Sequence, residues 1–277
     1  MNKAVGFVVG ILVIIGIGAI AWYHYGPPSQ PPPAPAPVAQ TAPPPAPAAK
    51  TEPQYPVPAP SDDDTQKAPS LPALNDSDSA VRGELQSLAG KAPIDSLLIP
   101  HQIIARWVAF IDSLDRDGLE PAQWPVRALK SQPEVSKDPD SGTLLLNPDN
   151  AKRYAPYLAV VRAVDAKLLV AFYFRYYPLF QRAYENLGYG GHYFNTRLVH
   201  ILDHLLATPV VDGAISLVQP SVRYKFADPE LEDLSFGQKM LIRLGPDGEK
   251  TVKAKLREIR AAVIAGSKQP SKTGSPQ

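Results

Sequence analysis

Hydrophobic and polar positions divide this chain into four stretches of different character. Residues 4–23, AVGFVVGILVIIGIGAIAWY, are apolar throughout and carry no charge. At about 1.5 Å per residue a helix of this length reaches about 30 Å, the hydrocarbon thickness of a bilayer. The pattern predicts a single transmembrane helix within residues 1–25, with Trp22, Tyr23 and Tyr25 at headgroup depth. Lys3 precedes the run, and the next Lys or Arg is Lys50. That asymmetry favours a cytoplasmic N-terminus and a periplasmic remainder. The rival reading is a cleaved leader, because Ala19-Ile20-Ala21 fits a small-x-small cleavage pattern. The bulky aromatics that follow speak against it. Gly6 and Gly10 form a G-x-x-x-G pair, which can bring two such helices together as a homodimer.

Residues 26–70 show no apolar period and hold 16 of the chain's 32 prolines. Proline donates no backbone hydrogen bond and holds its neighbour extended. This stretch is expected to be a disordered Pro/Ala-rich linker, a semi-rigid spacer of up to about 140 Å at about 3.1 Å per residue. Residues 267–277 are polar and aperiodic, which predicts a disordered tail.

Residues 71–266 carry the folding pattern, which is mainly α with a few short strands. Asp78 is placed to cap a helix bearing Val81, Leu85 and Leu88. A second helix, starting near Pro100, has Ile103, Ile104, Trp107, Phe110, Ile111 and Leu114 nearly all round it, so it should be central. Residues 143–146 read as a strand. Asn147-Pro148 opens a long helical stretch that Asp165 can restart and Pro178 should kink or split. Gly188, Gly190 and Gly191 end it. A helix follows over 195–207, then short strands over 216–218 and 222–226, a helix over 234–244 and a turn at 245–248. In the last helix, Val252, Leu256, Ile259 and Val263 share a stripe about 60° wide, with Lys253, Lys255, Arg257 and Arg260 over much of the rest.

Composition narrows the chemistry. There is no cysteine, so disulfides, thiolate metal sites and a cysteine nucleophile are excluded. A net charge of +1 argues against nucleic acid as partner. Serine-hydrolase, phosphate-loop and dinucleotide-binding motifs are missing, and no cofactor is implied. Ten of the 23 aromatic residues fall between Phe172 and Phe194. They suit either a core with a polar edge or a binding groove. His200 and His204 stand one turn apart, opposite the apolar face carrying Leu198, Ile201, Leu202 and Leu205. They are weak metal candidates, since H-x-x-x-H lacks the glutamate of the metalloprotease motif. The candidate interaction surface is Tyr173, Tyr177, Tyr184, Tyr189 and Tyr193 with His200 and His204. Carboxylates at Glu185, Asp203, Asp228, Glu230, Glu232 and Asp233 leave an acid/base pair open.

Three strings are similar to the DUF3014 family of proteobacterial proteins: residues 147–209, residues 215–246 and residues 253–263. The resemblance implies a membrane-anchored envelope protein with a span, a proline-rich stalk and a mostly helical domain. It implies no activity and transfers no catalytic residue. The expectation is therefore a single-pass protein of the bacterial inner membrane, held through residues 4–23. Its non-catalytic periplasmic domain would bind or scaffold an envelope protein or a cell-wall component. An envelope glycan hydrolase, metal-assisted or not, and a purely structural oligomer are the alternatives.

Overall fold

Helix α1 (Asp78–Ala89) and helix α2 (Lys91–Leu97) meet at Gly90, whose φ of 89° lies where a side chain would be strained. They lead to α3 (Ile103–Ser113), in the computed structural model that describes residues 52–58, 70–127, 129, 133–220 and 223–267. Ile103, Ile104, Trp107, Val108, Phe110 and Ile111 of α3 are all buried. A helix apolar on every face must be surrounded, and this one is. Asp78 does cap a helix, but not its own. Its carboxylate accepts from the backbone N–H groups of Gln102 (2.7 Å) and Ile103 (2.8 Å), at the start of α3.

A 3-10 segment (Pro148–Tyr154) is opened by Asn147, whose side chain accepts from the Asp149 N–H, and runs into α4 (Ala155–Ala163). Asp165 caps α5 (Ala166–Asn186) by accepting from the N–H groups of Lys167 and Leu168. Pro178 does not split α5. Its ring sits on the exposed side, while Tyr173, Tyr176, Leu179 and Phe180 are buried and hold both halves against the core. The missing proline N–H removes one helical bond, and this packing offsets it.

Helix α6 (Phe194–Leu206) follows a tight connection, then α7 (Pro229–Glu232), α8 (Phe236–Arg243) and α9 (Gly245–Ser267). The expected turn at 245–248 is instead the first turn of α9. Proline is tolerated there because the first helical N–H groups have no partner to lose. Val252, Leu256, Ile259 and Val263 are each 0% exposed, so the predicted stripe is the buried face of α9. The basic residues around it are mostly engaged. Lys253 is buried and paired with Glu249 at 2.6 Å, Lys255 donates to the Val164 carbonyl, and Arg260 pairs with Asp203.

Four short strands, β1 (Val135–Lys137), β2 (Leu144–Leu146), β3 (Ser216–Val218) and β4 (Lys225–Phe226), form one antiparallel sheet in that order. Its register pairs Val135 with Leu146, Leu144 with Leu217, and Leu217 with Phe226. Leu217, Phe226 and Ile242 make a second small core, and the Arg243 guanidinium lies 4.5 Å over the Phe226 ring.

The expected membrane topology is corrected. Among the described residues no helix is long and apolar enough to cross a membrane. Residues 4–23, and with them Gly6 and Gly10, lie outside the described residues. The fold class of the described residues is mainly α with a small antiparallel sheet, and none of their helices is a transmembrane element. The inner-membrane assignment, the cytoplasmic N-terminus, the periplasmic domain and the membrane partner through residues 4–23 rested on that span, and no described helix supports them. Residues 52–58 belong to the stretch expected to be a featureless spacer, yet they lie on the helical domain, with Tyr55 packed against the main core.

Candidate binding surface

The surface is built where α5 ends and α6 begins. Gly188 and Gly191, with φ of 100° and 84°, turn the chain between the two helices. Gln181 fastens that turn. Its amide nitrogen donates to the His192 carbonyl at 2.7 Å, and its amide oxygen accepts from the Phe194 N–H at 2.9 Å and from the Tyr177 hydroxyl at 3.1 Å. The Tyr184 and Tyr189 rings stack with centroids 4.5 Å apart, and Tyr184 also leans on Phe194. Burial pushes the hydroxyls of Tyr177 and Tyr184 up to about 12, so both are neutral.

Beneath the rings lies a network of charges. The Arg197 guanidinium reaches Asp112 through Nε and Asp115 through Nη1 and Nη2, each at 2.7 Å. The Tyr189 hydroxyl donates to Asp112 at 3.0 Å, and Arg116 donates to Tyr189 at 3.1 Å. Burial opposes ionisation of Asp115. Its bonds to Arg197 and the nearby charge of Arg116 outweigh burial and hold its carboxyl below the usual range.

Over this floor opens a cleft of about 540 Å3, walled by Tyr184, His192, Tyr193, Thr196, Arg197, Val199, His200 and Asp203 on one side and Glu52, Gln54 and Tyr55 on the other. The Thr196 hydroxyl is buried without a hydrogen-bond partner among the described residues. Residues 52–58 lie beside the cleft and bend at Gln54 and Tyr55. Asn195, 0% exposed, donates from Nδ2 to the Tyr55 carbonyl and to the Ser267 hydroxyl, each at 3.0 Å. Its Oδ1 accepts from the Tyr173 hydroxyl at 3.0 Å.

The seven residues singled out from the sequence therefore separate. Tyr184, Tyr193 and His200 line the cleft. Tyr173 is buried and orients Asn195 from behind, and Tyr177 and Tyr189 brace the turn and the charge network. His204 points elsewhere, with Nε2 2.8 Å from the Ser235 hydroxyl. Burial, reinforced by the charges of His200 and Arg197 and opposed by Asp115, lowers its pKa below the usual 6.5. His200 is exposed, 3.5 Å from Asp115. Among the described residues no group of three or more His, Asp or Glu side chains is placed to hold a metal.

Four of the six carboxylates left open in the sequence are occupied. Asp203 pairs with Arg260, Glu185 with Arg182 and Gln181, Glu232 with Lys239, and Asp228 caps α7. Reading the sequence alone missed Asn195, Gln181 and the pairing of Arg197 with Asp112 and Asp115. Asn195 left a trace: with Leu198, Val199 and Leu202 it occupies the buried stripe of α6, where an amide needs a partner.

A model of a protein family of unknown function, DUF3014, matches residues 103–260. No curated protein matches the chain, and no solved structure does.

Proposed function

The chain belongs to the DUF3014 family, and we propose that its helical domain is a non-catalytic binding module that takes its partner at the cleft over α5 and α6. One observation carries this reading. Exposed His192 and His200 and half-buried Tyr193 stand on a floor held rigid by Arg197, Asp112, Asp115 and Gln181. A fixed floor with polar and aromatic groups at its rim lowers the ordering cost of binding, and tyrosine presents a flat apolar face beside a hydroxyl. The buried Thr196 hydroxyl, without a hydrogen-bond partner among the described residues, adds a hydrogen-bonding group to the same wall. The ion-paired state of Asp112, Asp115 and Asp203 favours binding over proton transfer, because a carboxylate committed to a guanidinium is a poor general acid.

Photo-crosslinking side chains placed at Tyr193 and at His200 in the full chain test the proposal in its own cells. Both positions should capture the same partner, while a crosslinker at exposed Leu168, near the start of α5, should not. Equal capture from Leu168, or none from Tyr193 and His200, would overturn it.

A further inference from the structure

We propose that the groove under residues 52–58 is a receptor for peptides carrying a tyrosine between prolines, and that the chain's own EPQYPVP segment is its built-in ligand. The inference rests on the reading of the domain as a binding module and names the class of partner.

The segment turns part of its length to the domain. Pro53, Tyr55, Val57 and Pro58 are half-buried, while Glu52, Gln54 and Pro56 are exposed. The chain bends at Gln54 and Tyr55, which brings the tyrosine down onto the domain. Tyr55 is half-buried and packs against the main core. Its carbonyl is held at 3.0 Å by Asn195, which is 0% exposed. A buried amide aimed at a main-chain carbonyl recognises backbone, and the pocket beside it recognises the side chain. Asn195 is itself held in place by Tyr173. The groove is therefore a built site rather than a surface on which a loop happens to rest.

The ligand chemistry follows from the occupant. Prolines have no backbone N–H to leave unsatisfied and are already extended, so little conformational freedom is lost on docking. Residues 26–70 contain 16 prolines but one tyrosine, Tyr55. Proline-rich sequence alone would permit many registers, and the tyrosine selects one. Glu52, Gln54 and Tyr55 also form one wall of the cleft. Release of the segment therefore exposes the groove and widens the cleft together, and an outside peptide must compete with a tethered one. A short tether gives an effective concentration on the order of millimolar.

The probe is a synthetic EPQYPVP peptide, titrated against the full chain and against its Tyr55→Ala variant by fluorescence anisotropy. The variant, with its own ligand weakened, should bind the peptide at least about tenfold more tightly than the unmodified chain does. A peptide with alanine for tyrosine should bind neither. Unchanged far-UV circular dichroism checks that the variant is folded, and Val57→Asp releases the segment by a second route. Failure of the peptide to bind either released variant, or equal binding to the unmodified chain, overturns the proposal. Partner capture from Tyr193 and His200 without peptide binding would retain the binding module and discard this ligand class. Peptide binding without such capture would do the reverse.

Discussion

Arg197 of α6 is locked to Asp112 of α3 twice over, through the carboxylate at 2.7 Å from Nε and through the Asp112 main-chain carbonyl at 2.7 Å from Nη2. The two side chains are 15% and 7% exposed. The guanidinium's remaining nitrogen contacts go to Asp115. One residue thus ties the floor of the cleft to the central helix.

Arg197→Met should therefore destabilise the domain by about 3–5 kcal/mol, because it strands two partly buried carboxylates. Urea denaturation measures this. The further loss on adding Asp112→Asn should be well below the sum of the two single losses, since the pair acts as one unit. Additive losses would mean that the pair is not coupled.

Two groups near the cleft contribute to the response to acid. The folded Asp115 carboxyl lies below the usual 3.8 of an aspartate. Its contribution to stability is therefore complete above about pH 4 and is lost as pH falls through the folded value. His204 is lowered from 6.5, so the folded state favours neutral imidazole. That contribution is complete above pH 6.5 and is lost as pH falls below it. Urea midpoints taken from about pH 7.5 down to about pH 5 should fall for the native chain and fall less for His204→Gln. The amide still reaches the Ser235 hydroxyl but does not titrate. Parallel curves would remove His204 as the cause.

Gly237 is needed for a close approach. A Cβ there would lie 2.8 Å from the Leu114 carbonyl and 2.6 Å from a Leu205 methyl. The Gly237 N–H donates to that same carbonyl at 2.8 Å, pinning the start of α8 to the end of α3. Gly237→Ala should cost about 1–3 kcal/mol through overpacking. Gly83→Ala, where a Cβ meets nothing within 4 Å, should be neutral or slightly stabilising, as alanine favours an exposed helix. Thermal unfolding of the two variants side by side tests the contrast.

Features that depend on neighbours a few residues apart are legible in the sequence. The all-round apolar pattern of α3, the stripe from Val252 to Val263, and the caps at Asn147 and Asp165 are local, and each is found in the fold. Features that depend on residues brought together from far along the chain emerge only once the helices are packed. Asp78 looked like the cap of its own helix and instead caps α3. Pro178 looked like a break, yet burial on both sides of it keeps α5 whole. His200 and His204 looked like a pair, but a distant serine draws one of them away. The same holds for the cleft, because Tyr55 and Asn195 are 140 positions apart. A periodic pattern states which face is buried, since burial follows hydrophobicity. It does not state which partner a buried amide or carboxylate will meet, because that depends on how the helices pack against one another.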